Sequence, residues 1–300
     1  MLSQKQKGHL ALFFAQVIYA MNYSIAKDIV PNYLHPFSLT FLRIFGACLM
    51  FWSLTFILPP VKQSIERKDL KTIFYLSLFG IVINQVFFIW GLSITTPINS
   101  AIIMISNPIA VFILSLFITT GTTETTSFSW KKMIGLSLGI LGALTLILFK
   151  GNFSFGSDTW AGDVMTLCNS ISWAIFLIYG KSMLQKYHTV AVMKWLFLFG
   201  TLLLLPFFFT NVLSENWQHI PMKIWLSIAF VVIATTFFAY LLNLYGLKLL
   251  STSVVSMYIY IQPFLATIFA VLLGKDEINS TKILAGSFVL LGIYLVNSKR

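Results

Sequence analysis

Acidic side chains are scarce in this chain, and none falls where a buried ion relay would need one. The 300 residues hold nine Asp and Glu against 20 Lys and Arg, and charged residues make up only 10% of the total. Asp28, Glu66, Asp69, Glu124, Asp158, Asp163, Glu215, Asp276 and Glu277 all fall in loops or at the ends of apolar runs, so no mid-membrane carboxylate relay is expected. Cysteine is almost missing. Cys48 and Cys168 both lie inside apolar runs, which excludes a disulfide framework, and no CxxC or Cys/His pattern offers a metal site. No GxSxG, HExxH, P-loop or glycine-rich dinucleotide turn is present, so neither a cofactor nor an enzymatic reaction is expected. The net charge of +11 does not indicate nucleic acid, because the basic residues gather at the ends of apolar runs and not along one face.

Apolar length is what the chain has in abundance. Hydrophobic residues make up 58% of it, and its mean hydropathy is +0.86. A soluble domain cannot hide that much apolar surface, so the surrounding solvent must be lipid. Ten apolar runs are legible, over 8–27, 37–58, 70–92, 98–118, 132–149, 161–184, 190–209, 223–248, 252–273 and 281–297. Most match the ~20 residues that carry a helix across hydrocarbon. The fifth and tenth are short, and the eighth is long enough to tilt. Helices are expected throughout, since lipid leaves no other way to satisfy the backbone of such runs. The first run outlasts the apolar core of a signal peptide and no A-x-A follows it, so it reads as an uncleaved span.

Basic residues orient the chain. With the N-terminus cytoplasmic, Lys5, Lys7, Lys62, Arg67, Lys68, Lys71, Lys131, Lys132, Lys181, Lys186, Lys248, Lys299 and Arg300 lie inside, which is 13; Lys27, Lys150, Lys223, Lys275 and Lys282 lie outside, which is five. Arg43 and Lys194 fall within spans. This bias places both termini in the cytoplasm of a bacterial inner (plasma) membrane. Gly151–Trp160 then reads as a short exterior loop, and Pro59-Pro60 ends the second span sharply.

The two halves repeat each other. A shift of 154 places Gly8 on Gly162, Tyr19 on Trp173, Ala20 on Ala174, Lys27 on Lys181 and Gly46 on Gly200. A shift of 155 places Gly91-Leu92 on Gly246-Leu247 and Asn107-Pro108 on Gln262-Pro263, and a shift of 150 places Lys132 on Lys282 and Gly142 on Gly292. Five spans per copy force the second copy to insert upside down. The expected fold is therefore an all-α membrane protein of ten transmembrane helices, built as two inverted five-helix repeats over 1–150 and 151–300. That architecture lets two half-structures exchange roles on opposite faces, as in secondary transporters.

These features also resemble the EamA family of the drug/metabolite transporter superfamily. The resemblance covers nearly the whole chain. It is carried by Tyr19-Ala20 and Trp173-Ala174, Leu42-Arg43, Gly91-Leu92 and Gly246-Leu247, and Asn107-Pro108 and Gln262-Pro263. Members often carry a Gly-Glu pair after the fourth and ninth spans. Here those places read Gly121-Thr-Thr-Glu124 and Gly274-Lys-Asp-Glu277, so no family role is assigned to those acids. The resemblance implies a metabolite carrier, often an exporter, and leaves the substrate open.

Several residues within the spans are candidates for transport chemistry. Pro108 and Pro263 each remove a helix hydrogen bond and clash with the carbonyl four residues back, at Met104 and Ile259; they are expected to kink helices that line a cavity and flex, or else to kink them statically. Asn22, Asn84, Gln85, Asn107, Asn169, Asn243 and Gln262 place amides on the first, third, fourth, sixth, eighth and ninth runs. Each amide alone reads equally as interhelical glue, but the set reads as a polar lining for substrate, with Trp173, Tyr240 and Tyr258 as aromatic walls. Arg43 lies about six residues inside the second run, ~9 Å deep at helical rise. It is either a substrate or gate contact or an anchor to carbonyls and headgroups, and no acid occupies a span core to pair with it. Gly135, Gly139 and Gly142, echoed by Ala285, Gly286 and Gly292, read as a packing stripe, between the fifth and tenth spans or at a homodimer contact.

The expected partners are a small-molecule substrate and membrane lipid, not nucleic acid. The expected function is secondary transport of small organic metabolites such as amino acids, by alternating access, as an exporter or facilitator. A flippase of a lipid-linked substrate and a non-transporting receptor or scaffold stay open as alternatives.

Overall fold

The computed structural model describes residues 2–57, 64–117, 130–148, 159–265 and 280–297, and among these there is no strand. The helices are α1 (Gln4–Ile29), α2 (Pro36–Ile57), α3 (Arg67–Ile94), α4 (Pro97–Met104), α5 (Ser106–Phe117), α6 (Trp130–Leu148), α7 (Trp160–Lys186), α8 (Thr189–Ser214), α9 (Met222–Leu249), α10 (Thr252–Met257) and α11 (Ser280–Asn297). Among the described residues six of them, α1, α2, α3, α7, α8 and α9, are long and apolar enough to cross a bilayer, and α5, α6 and α11 are shorter apolar helices. Phe14, Phe56, Phe207 and Tyr294 stand exposed on the outer surface, which suits lipid. The chain is an integral membrane protein. Pro59-Pro60, residues 151–158 of the loop between the halves, the segments Gly121–Glu124 and Gly274–Glu277, and residues 266–273 of the ninth run lie outside the described residues.

Local sequence sets the helix ends. Ser3 caps α1 reciprocally: its hydroxyl accepts from the Gln6 N–H at 3.2 Å, and the Gln6 side chain accepts from the Ser3 N–H at 2.8 Å. Pro36 and Pro97 open α2 and α4, where a missing N–H costs nothing. The fourth run, expected as one kinked span, is two helices broken at Ile105. Pro108 sits in the first turn after the break, where it has no N–H to offer the Met104 carbonyl. The second half repeats the device: α10 stops at Met257, a 3-10 turn covers Tyr258–Tyr260, and the helix resumes over 261–265 around Pro263.

Two π-helical segments were not legible in the sequence. Leu78–Ile83 interrupts α3 and Phe230–Phe238 interrupts α9, at places that the 155-residue shift superimposes. Wide turns of this kind free backbone carbonyls and recur near functional sites. Here the Phe79 carbonyl accepts from Ser172 at 2.5 Å, and the Val231 carbonyl accepts from Thr236 at 2.7 Å.

Packing between the halves is reciprocal. α7 lies on the end of α3, and α1 lies on the end of α9. At the first contact the backbones nearly touch, since a Cβ at Gly162 would stand 2.7 Å from the Gly91 carbonyl oxygen. At the second, the ideal Cβ of Gly8 would stand 3.0 Å from Leu250. Lys27, near the end of α1, donates to carbonyls of Leu92, Ser93 and Thr95 at 2.9, 3.0 and 2.9 Å. Thr95 in turn donates to Asp163, at the start of α7, at 2.5 Å. Lys181, near the end of α7, donates to the carbonyls of Leu247, at 2.8 Å, and Leu250. Since the start of α1 meets Leu250 and its end reaches Thr95, α1 and α7 run in opposite directions through the molecule. The glycine stripe is used within the chain: α6 packs along α11, and a Cβ at Gly292 would stand 2.5 Å from the Gly135 carbonyl oxygen.

Candidate functional site

A cavity lies where these crossed helices meet, with about 550 Å³ of space free of protein atoms, its open side included. α1 presents Gln16, Tyr19, Asn22 and Tyr23 to it, and α2 presents Arg43. Asn84, Gln85 and Phe88 come from α3, directly after the first π segment. Asn169 and Trp173 come from α7, and Tyr240 and Asn243 from α9, directly after the second π segment. Met104 and Ile259 enter from the two proline-linked breaks, with Gln262 one turn on. The repeat shifts pair many of these residues: Tyr19 with Trp173, Gln85 with Tyr240, Phe88 with Asn243 and Met104 with Ile259. The walls thus share these four pairs of positions, while others, Arg43, Asn22 and Gln262 among them, have no repeat mate in the lining.

A polar network ties the walls together. Gln85 Nε2 donates to the Tyr240 hydroxyl, which donates to Asn84 Oδ1 at 2.9 Å. Asn169 Nδ2 donates to the Asn84 carbonyl at 2.7 Å, and Asn84 Nδ2 returns a bond to the Asn169 carbonyl at 3.4 Å. Gln262 Nε2 donates to Gln16 Oε1 at 2.6 Å. Trp173 and Tyr19 both make edge-to-face contacts with Tyr240, with centroids at 5.5 and 6.3 Å. The network leaves much of the lining unsatisfied. Asn22 Oδ1, Gln85 Oε1, Asn169 Oδ1, Asn243 Oδ1, Gln16 Nε2, the Tyr19 hydroxyl and Arg43 Nη1 are buried with no partner among the described residues. Buried polar groups without partners cost ~1–3 kcal/mol each, so a run of them around one space marks it as a place for water or a polar ligand.

Arg43 decides the electrostatics. It is 1% exposed, so it faces the interior and does not snorkel to the headgroups. Its Nε donates to Thr236 Oγ1 at 2.9 Å, and among the lining residues it alone carries a charge. Desolvating a guanidinium costs on the order of several kcal/mol even after relaxation, and no described carboxylate lines the cavity to offset that.

The structure brings Asn22, Arg43, Asn84, Gln85, Asn169, Trp173, Tyr240, Asn243 and Gln262 together around the cavity. Two expected contributors lie elsewhere. Asn107 is turned into the α5–α7 contact, donating to the Ser170 carbonyl at 2.7 Å. Tyr258 meets His9 instead, hydroxyl to Nδ1 at 2.8 Å. Asn107 differs from its repeat mate Gln262 in its acceptor. The shift of 154 sets Ser170 on Gln16, so each amide meets the equivalent residue of the other half, but Asn107 bonds the Ser170 backbone carbonyl whereas the longer Gln262 bonds the Gln16 side chain inside the cavity. Sequence reasoning passed over Gln16, Tyr23 and Phe88. Gln16, Tyr19 and Tyr23 stand three and four residues apart on α1, a helical stripe that could have revealed the first two.

A profile of the EamA-like transporter family matches residues 6–148 and residues 160–298. An uncharacterized transporter of Archaeoglobus fulgidus is 27% identical over 98% of both chains. The Bacillus subtilis uncharacterized transporter YyaM is 23% identical over 95% of this chain and 92% of its own. A WAT1-related protein of Arabidopsis thaliana is 21% identical over 98% of this chain and 84% of its own. A protein of known crystal structure shares the fold over 96% of both chains, with a TM-score of 0.74 at 15% identity.

Proposed function

This chain belongs to the EamA-like transporter family and is a membrane transporter; from that premise we propose that it carries small organic metabolites such as amino acids by alternating access. The observation that carries this reading is the shared cavity. It is walled by residues of both halves, four pairs of them at repeat-equivalent positions, so rocking one half against the other would expose the same lining to either face. The aromatic walls and unsatisfied amides suit an amphipathic organic molecule better than a bare metal cation. Residues 1–150 and 151–300 act as the two inverted repeats, and both termini face the cytoplasm of a bacterial inner membrane.

The coupling follows from the lining. No described acid faces the cavity, so the carrier works as a facilitator or exchanger, or couples through Asp163, whose carboxylate accepts from Thr95 and Thr159 at one end of the molecule. The test is flux of labelled amino acids into proteoliposomes, with and without a pH gradient, beside a comparison of metabolites released by overexpressing and deletion cells. Exchange or downhill flux of a small metabolite, lost when Asn84 and Gln85 are replaced by leucine, is the expected result. Flux of a headgroup-labelled lipid alone would overturn it, and so would the lack of any flux.

A further inference from the structure

Arg43 has half of a binding site around it. Nε is committed to Thr236 Oγ1, and that hydroxyl is itself committed to the Val231 carbonyl. Nη1 is buried and has no acceptor among the described residues. The ion pairs formed among the described residues join Glu66, Lys68, Asp69 and Lys186 and do not include Arg43. A guanidinium holds its charge at any physiological pH and presents its donors as a planar fork that matches a carboxylate. The remaining orphans around it are mostly of the opposite kind: Asn22, Gln85, Asn169 and Asn243 each leave an amide oxygen, an acceptor, unfilled.

We propose that Arg43 selects the charge of the cargo: the transported molecule carries one small anionic group, a carboxylate foremost, that docks on the unpartnered Nη1 of the guanidinium. The amide oxygens accept N–H or O–H donors from the rest of the molecule. Cations are rejected by like charge, and an ester or amide of the same skeleton leaves Arg43 without its counter-charge. The proposal rests on the transporter reading and adds the chemistry that its central site recognises.

Matched sets of probes test it on the purified full-length protein in detergent. Each set shares one side chain, that of leucine, phenylalanine, threonine or glutamine, and comprises the amino acid, its methyl ester, its decarboxylated amine and its deaminated acid. Thermal stabilisation is expected only from members with a free carboxylate. Arg43→Gln is expected to weaken the apparent affinity at least tenfold, with part of it restored by Arg43→Lys. The proposal is overturned by an ester or amine that stabilises as well as its acid, by chloride giving the same shift as the organic acids, or by silence from every carboxylate across the sets. The wild-type panel separates these outcomes even if the Arg43 variants fail to fold. The same probes in proteoliposomes separate the two readings. Carboxylate binding without flux removes the transporter reading and leaves the charge rule standing, whereas flux of an amine or ester does the reverse.

Discussion

Lys27 and Lys181 stand at equivalent places in the two halves, and each drives its ammonium into the carbonyl end of its own half's third long helix, at Leu92 to Thr95 in one case and Leu247 to Leu250 in the other. A cation at a helix C-terminus meets carbonyls that no backbone N–H can reach, so it satisfies both hydrogen bonding and the helix dipole. Replacing either lysine with methionine keeps the stem and leaves several carbonyls bare. Lys27→Met and Lys181→Met are each expected to lower stability by about 2 kcal/mol, measured as a fall in the unfolding midpoint of the purified protein. Equal midpoints for both variants and the wild type would show that the caps contribute nothing.

Backbone proximity at Gly162 gives a second prediction. An alanine there would place its Cβ 2.7 Å from the Gly91 carbonyl oxygen and 2.8 Å from the Thr95 nitrogen, both backbone atoms that cannot swing aside. Gly162→Ala is therefore expected to cost about 1–3 kcal/mol by overpacking. Gly180→Ala on the same helix is the control, since its nearest neighbour would be Phe176 Cε2 at an ordinary 3.5 Å. Thermal unfolding monitored by size-exclusion recovery should separate the two, and equal tolerance of both would refute the close contact.

How far the sequence reached can be judged from single residues. The long spans were legible because apolar length acts locally, whereas the ends set by Ser3, Pro36 and Pro97 were passed over although each acts through the few residues beside it. Arg43 and most of the amides could be picked out because a polar group in an apolar run is conspicuous whatever it touches. The roles of Lys27 and Lys181 were hidden, since a lysine at a span end looks the same whether it meets water or carbonyls. The π segment Phe230–Phe238 was hidden for a related reason. It holds neither proline nor glycine, and its wide turn accompanies bonds that the local sequence does not dictate, among them Thr236 to Val231 and Arg43 to Thr236. Asn107 and Gln262 look alike as amides before proline, yet one bonds a backbone carbonyl in a helix contact and the other a side-chain amide in the cavity, a choice of acceptor that the local sequence does not display.

The charge bias that orients the chain has its own check. Ser3 begins α1, and Asn216 lies in the turn after α8 near Glu215, whose carboxylate accepts from the His35 N–H at 2.8 Å beyond the end of α1. These two positions therefore sit at opposite ends of the molecule. With Cys48 and Cys168 replaced by alanine, Asn216→Cys in intact cells should react with a membrane-impermeant maleimide and Ser3→Cys should not. The reverse pattern would invert the orientation, and labelling of both would break the topology.

At the end of the molecule where α3 begins, Lys186 bridges Glu66 at 2.9 Å and Asp69 at 2.6 Å, while the Tyr187 hydroxyl donates to the same Asp69 oxygen at 2.6 Å. This ties the start of α3 to the turn between α7 and α8. Exposed ion pairs contribute little one by one, but Asp69 is mostly sheltered and serves two donors, so Asp69→Asn is expected to cost about 1 kcal/mol. Glu66 supplies the pH signature. Hydrogen bonds from Lys68 first, and then Lys186, hold its carboxyl below the ordinary value of 4.5. A group whose value is lower folded than unfolded adds stability that is fully in place above the ordinary value and is lost as pH falls through the lowered one. Unfolding midpoints measured from pH 7 downward should therefore hold level until the pH drops below about 4.5 and then decline, with the decline shallower in Glu66→Gln. Identical acid limbs in Glu66→Gln and wild type would show that Glu66 adds nothing to the hold on this end of the bundle.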